Sequence, residues 1–328
     1  MNTNFNKVVG DNALVIQKLS NADVNKISVT KDMDIPHGDM PGDKIEIGDS
    51  HIEKANIIFP KLIELLKENA KNNEYGRSVV CVCGGSGVGK SEIASLLSFY
   101  LNECGIGSYT LSGDNYPHRI PMYNDAERLH IFREGGIRSM TDAGVMNKEN
   151  IETLKKFQLE DNDANKDLIK EHEFMKAYIE GGSKALDAYL GTPKETDFDE
   201  VSSIIKAFKE GADKIWLKRM GRDEASLWYD EVSFENTNVL IIEWTHGNSD
   251  YIEGVDIPIL LNSTPEETLA HRRSRARDGK VDSAFTTLVL MLEQAKLHSQ
   301  ARKAKIIVSK DAKILTFDEY SKLMEGQI

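Results

Sequence analysis

The sequence predicts an α/β fold: a mainly parallel sheet flanked by helices. Three observations carry this. Short apolar runs recur along the chain, at 78–83, 239–242, 257–261 and 305–308. Their near-continuous aliphatic character fits strands covered on both faces. Helix-like stretches separate them, the rhythm of a sheet with crossover helices. A glycine-rich loop follows the first run directly. With 328 residues, 40% of them hydrophobic and 29% charged, the chain can bury a large core.

The glycine loop is Gly84-Gly85-Ser86-Gly87-Val88-Gly89-Lys90-Ser91, the pattern G-x-x-x-x-G-K-[ST]. A strand, Ser78 to Cys83, precedes it, and an apolar helix, Ser91 to Leu101, follows and is stopped by Gly105 and Gly107. That order predicts a P-loop NTPase fold. Glycines let consecutive backbone N–H groups turn inward around phosphate oxygens, and the helix N-terminus adds partial positive charge. Gly84, Ser86, Gly87, Val88, Gly89, Lys90, Ser91 and Glu92 are therefore the predicted nucleotide contacts. Lys90 reaches the β- and γ-phosphates, and the Ser91 hydroxyl is placed to ligate a metal. ATP and Mg²⁺ are the expected cofactors.

Residues 1–72 read as an N-terminal extension and lead-in helix. The first fifty are polar, with turns at Ile35-Pro36-His37-Gly38 and Met40-Pro41-Gly42-Asp43, and are expected to form two or three strands. Residues 52–71 form an amphipathic helix on Ile57, Ile58, Leu62, Ile63, Leu65 and Leu66. Residues 73–328 form the P-loop domain, whose second strand is 108–112. Pro258 puts the 257–261 strand at an edge, or itself at a strand start. A helical, charge-rich insertion at about 148–209 is expected over the active-site side of the sheet, where ligands of open α/β sheets bind. A lid is expected at about 265–285.

Asp114 follows the second strand in Gly113-Asp114-Asn115-Tyr116-Pro117-His118-Arg119. A carboxylate there can take a proton from a substrate hydroxyl and orient it for attack; Gly-Asp-Asn is also good turn chemistry. Tyr116, His118 and Arg119 are the accompanying acceptor-side candidates. Glu243 ends the aliphatic run Val239 to Ile242, the place of a carboxylate that holds Mg²⁺ or serves the attacking hydroxyl. Thr264-Pro265-Glu266-Glu267 has the form of a capping box opening a helix. That helix carries Arg272, Arg273, Arg275 and Arg277. Arg273 and Arg277 share one face and Arg272 and Arg275 another, so guanidinium groups could clamp a transferring phosphate.

Taken in order, the phosphate loop, the Gly-Asp-Asn-Tyr-Pro-His-Arg segment, Ile241-Ile242-Glu243-Trp244-Thr245-His246-Gly247 and the arginine run resemble the superfamily of phosphoribulokinase, uridine kinase, bacterial pantothenate kinase and glycerate kinase. The resemblance covers roughly residues 76–145 and 236–310. It implies an ATP-dependent kinase acting on a hydroxyl of a nucleoside, sugar or sugar phosphate. It implies Asp114 as catalytic base, Glu243 as the Mg²⁺-linked carboxylate, and Arg273 and Arg277 as lid arginines. Trp244 departs from the glycine usual after the strand glutamate, and the insertion is large.

Rival functions find less support. A GTPase switch lacks an Asn-Lys-x-Asp motif, and an assembly ATPase would pair Asp with Glu at the strand end. A catalytically silent nucleotide-binding module is the remaining alternative. A formal net charge of −12 disfavours sequence-independent nucleic-acid binding. No apolar run approaches the ~20 residues of a membrane helix, and the N-terminus lacks the apolar core of a signal peptide. Three cysteines without metal-site spacing read as reduced thiols in a cytoplasmic protein. A small-molecule hydroxyl acceptor is thus the expected partner, and a homodimer is compatible with the sequence. Arg119, Arg128, Arg133 and Arg138 admit an anionic acceptor.

Overall fold

The structure, a computed structural model, describes residues 5–23, 27–30, 33–42, 44–275 and 283–326. Its elements in chain order are α1 Phe5–Asn21, α2 Asp49–Ala70, β1 Ser78–Gly84, α3 Lys90–Glu103, β2 Ser108–Ser112, α4 Pro121–Asp142, α5 Lys148–Leu159, α6 Phe174–Asp187 and α7 Phe198–Lys209. Then come β3 Lys214–Met220, β4 Leu227–Ser233, β5 Val239–Glu243, β6 Ile257–Leu261, α8 Leu269–Arg275, α9 Ala284–Gln300, β7 Ile306–Val308, β8 Ile314–Leu315 and α10 Phe317–Met324. The chain divides into two compact units. Of the described residues, the first holds those up to Tyr116, those of Asp197–Ser263 and those from Leu297 on; the second holds those of Pro117–Thr196 and Thr264–Lys296.

The first unit is a six-stranded sheet in the order β2-β5-β1-β6-β7-β8. All its pairings are parallel except that of β8 with β7. The aliphatic runs explain its burial, because alternate side chains feed opposite layers. Val80, Val82, Ile241, Ile259 and Val308 point into a core closed by α1, α2 and α3. Val79, Cys81, Cys83, Ile242, Leu260 and Ile307 point the other way, against residues of α7 and α10. Asp197 opens α7 by accepting a hydrogen bond from the Glu200 N–H, and Thr316 with Glu319 forms a reciprocal cap on α10.

One expectation changes, and one alternative is resolved. Among the described residues of 1–50 there are no strands, and α1 stands there instead. Val15 and Leu19, one helical turn apart, are buried with α2 residues in the sheet's core. The segment is therefore part of the core and not a polar appendage. Pro258 is indeed the second residue of its strand, but β6 lies inside the sheet between β1 and β7. The β3–β4 hairpin is a separate two-stranded sheet that the sequence reading did not contain.

The second unit is helical. Phe132 and Met140 of α4, Leu154 of α5, Met175, Tyr178 and Leu186 of α6, and Leu288 and Val289 of α9 make its core. Within residues 148–209 stand α5, α6 and α7, and α7 packs in the core of the first unit.

Candidate active site

The site follows from strand register. Val82 of β1 and Ser112 of β2 both lie level with Glu243 of β5. The carboxyl ends of three neighbouring strands therefore finish together, just before the phosphate loop. Gly89 caps α3 with φ 94°, a left-handed conformation that side chains with a Cβ rarely adopt. Lys90 and Ser91 then open the helix, whose first-turn N–H groups have no intrahelical acceptor. Lys90 Nζ donates to the Gly85 carbonyl at 3.1 Å, within the loop. Glu92 is fully buried in the first turn of α3.

Glu243 is buried, and two hydroxyls converge on it. Ser91 Oγ donates to Oε2 at 3.2 Å, and Ser112 Oγ donates to Oε1. The phosphate-loop serine and the strand-end glutamate, 152 residues apart in sequence, are thus brought into contact. Sequence reasoning does not find Ser112; only the pairing of β2 with β5 reveals it. Asp114 sits in a one-turn 3₁₀ helix, Gly113–Asn115, and is exposed. Trp244 explains its own presence: a Cβ on Gly113 would lie 2.0 Å from the indole Cγ. The indole also packs, tilted, against Phe198 of α7, centroids 5.0 Å apart. The tryptophan is a core residue that covers the base of the Asp114 turn.

The other predicted residues are distributed as follows. Tyr116 is fully buried in the sheet core, and its burial raises the phenol above its ordinary pKa. A residue in that position does not present a surface to an acceptor. His118, Arg119 and Arg273 belong to the second unit. His118 is exposed, its Nε2 2.9 Å from the Pro193 carbonyl oxygen. Arg119 bonds Tyr189 at 3.1 Å and Glu127 at 3.4 Å. Thr264 and Glu267 form the expected capping pair, at 2.9 and 3.3 Å. Arg273 is exposed on α8, and Arg277 lies outside the described residues. Arg272 is instead buried, donating to the Pro265 carbonyl at 2.7 Å.

The four arginines that admitted an anionic acceptor are occupied. Arg119 faces Glu127, Arg128 faces Glu195 at 2.5 Å, Arg133 faces Asp163 at 2.9 Å, and Arg138 faces Glu134 at 2.5 Å. Burial opposes the charge on Arg128, but Glu195 and Glu293 outweigh it and raise the group above its ordinary value. Cys81 and Cys83 are free and buried on one face of β1, and burial pushes both thiols up, that of Cys83 to about 12.

Comparison with known proteins agrees with the motifs. Over 265 residues, 81% of its length, the chain is 36% identical to a bifunctional alpha-galactosidase/sucrose kinase of Mediterraneibacter gnavus. A second relative, described as a probable adenylyl-sulfate kinase of Halalkalibacterium halodurans, is 32% identical over 131 residues, 38% of this chain. The chain spans 23% of the first relative and 63% of the second. A solved structure described as a possible uridine kinase from Bacillus stearothermophilus matches 75% of this chain and 98% of its own, at 14% identity and TM-score 0.38. A candidate fructose transport system kinase from Silicibacter sp. TM1040 matches 69% of this chain and 84% of its own, at 16% identity and TM-score 0.40. No family model matches. No described helix is long and apolar enough to cross a membrane.

Proposed function

We propose that the chain is an ATP-dependent kinase that transfers the γ-phosphoryl group to a hydroxyl of a neutral sugar. The observation that carries the reading is the convergence of Lys90, Ser91 and Glu243 at the carboxyl end of the sheet, with Asp114 exposed one strand away. Occupation of the four arginines by carboxylates favours an uncharged acceptor over a sugar phosphate. The sucrose kinase in the name of one relative makes sucrose the first acceptor to test.

In this reading the phosphate loop holds the triphosphate, and Lys90 exchanges the Gly85 carbonyl for phosphate oxygens. Ser91 Oγ and the Glu243 carboxylate are hard oxygen donors already in contact, which fits Mg²⁺ held by few protein groups together with phosphates. Bound there, Mg²⁺ would neutralise charge on the phosphates. Asp114 accepts the proton of the attacking hydroxyl and aligns its oxygen with the γ-phosphorus. Arg273 is the described lid candidate. A cytoplasmic location follows from the need for ATP.

The test combines calorimetric titration with ATP·Mg²⁺ and a coupled assay over sucrose, fructose, uridine and ribulose 5-phosphate. Tight ATP binding with phosphorylation of a neutral sugar is expected. Turnover only with uridine or a sugar phosphate would overturn the acceptor assignment, and absence of ATP binding would overturn the kinase reading. Lys90→Ala should abolish turnover, since the chief cation facing the β- and γ-phosphates is lost.

A further inference from the structure

Among its described residues, the stretch between α1 and α2 has no regular secondary structure, yet one of its side chains grips the turn that carries Asp114. Asp39 Oδ1 accepts hydrogen bonds from the Ser112 N–H at 2.7 Å and from Asn115 Nδ2 at 3.0 Å. These two residues bracket Gly113 and Asp114. Its other oxygen, Oδ2, accepts from Tyr109 Oη at 2.9 Å and Arg219 Nη1 at 2.8 Å. Arg219, on β3, also donates to Tyr109 Oη at 3.0 Å and to Asp230 at 3.1 Å. The side chains of Asp39 and Arg219 are each 8% exposed. Asn115 completes the clasp by accepting from the Met220 N–H at 2.9 Å. The neighbouring Gly38 lies against the second carboxylate: a Cβ built there would be 3.8 Å from Glu243 Oε1.

A single 3₁₀ turn has one turn of hydrogen bonds and poor geometry, so its conformation must be held from outside. Here the hold comes from a carboxylate 73 to 76 positions earlier in the chain, itself fixed by a buried arginine. We propose that Asp39 is a positioning residue for phosphoryl transfer. It fixes the Ser112–Asn115 turn so that the Asp114 carboxylate stands where the acceptor hydroxyl is to be deprotonated. The segment before the P-loop domain is then a working part of the site. The assignment rests on the kinase reading above.

Asp39→Asn tests it, because an amide cannot accept at both ends and must turn its NH₂ toward one pair of donors. The expected result is a kcat lowered about 10–100-fold, the usual effect of losing a partner that orients a reacting group. KM for ATP should stay within about threefold, because the phosphate loop is untouched. A cycle with Asp114→Asn separates positioning from general loosening. If Asp39 acts through Asp114, adding Asp39→Asn to Asp114→Asn should cost less than about twofold more. If Asp39→Asn does not fold, Asn115→Ala cuts the grip beyond Asp114, together with the bond to the Met220 N–H, and should show the same split between kcat and KM. Hydrogen exchange provides a readout without turnover: in Asp39→Ala, which removes the acceptor from both pairs of donors, the Ser112 amide should exchange faster. Wild-type kcat in Asp39→Asn, full additivity in the cycle, or unchanged Ser112 protection would each overturn the proposal. A wild-type chain that phosphorylates none of the acceptors overturns the kinase reading instead, and Ser112 exchange then decides whether Asp39 holds the turn.

Discussion

Asp114 and Glu243 stand at the carboxyl ends of neighbouring strands of the same sheet, and their surroundings are opposite. Glu243 is 4% exposed, its two oxygens taken by the hydroxyls of Ser91 and Ser112. Asp114 is exposed, on a turn whose flanking residues, not its own carboxylate, are held by Asp39. A buried carboxylate ringed by hydroxyl donors is held in place and cannot turn to follow a substrate. An exposed one on a clasped turn has a fixed position and an open face. The first arrangement suits a metal, the second a proton transfer.

The difference is broken most sharply at Asp114. Asp114→Asn should reduce kcat by roughly 10²–10⁴, the worth of a positioned general base, with thermal stability near that of the wild type, because the carboxylate is exposed. Chemical denaturation alongside single-turnover kinetics reads both. A large stability loss with normal kcat would exchange the two roles.

Glu243→Gln should show the reverse balance. The Mg²⁺ concentration for half-maximal activity should rise, since an amide is a poorer partner for a hard cation. Stability should fall by about 1–2 kcal/mol, because one amide end offers a donor to hydroxyls that donate in the wild type. A magnesium titration with unchanged midpoint would reduce Glu243 to a structural link between β5 and its neighbours.

The smallest effect concerns β1, paired to β5 with Cys81 level with Ile242. Both β1 thiols are buried and pushed up, so at pH 8 they stay protonated and shielded. In the folded wild type a thiol reagent should label Cys104, which is half-buried, well before Cys81 or Cys83. If Glu243 also secures the strand ends, Glu243→Gln should speed Cys81 labelling by a small factor, read by mass spectrometry of the labelled peptides. Equal rates in both proteins would confine the role of Glu243 to the site.

Much of this arrangement is legible in the sequence, for physical reasons. Four strands announce themselves because burial on both faces demands unbroken aliphatic runs. The phosphate loop is visible because its backbone needs glycines at fixed intervals. Asp39 carries no such mark: its segment has no periodicity, and its partners lie as far as 180 residues away. The β3–β4 hairpin is hidden because β4 is mostly exposed and lacks a clear apolar alternation. Tyr116 looks like a site residue by its neighbours in sequence, but the chain turns it into the core. Arg272 and Arg273 are adjacent in the chain and differ completely in burial, which side-chain type alone does not reveal.

The packing of Trp244 on Gly113 links the two strand ends in a way that bears on divergence. With 2.0 Å between the indole Cγ and where a Cβ would stand, residue 113 cannot grow while the tryptophan stands. A lineage that enlarges residue 113 must first shrink residue 244, and one that acquires the tryptophan must already hold glycine opposite it. The two sites should therefore covary among homologues as a large–small pair. Gly113→Ala should be rescued by a smaller residue at 244 before it is rescued by any change nearby in sequence.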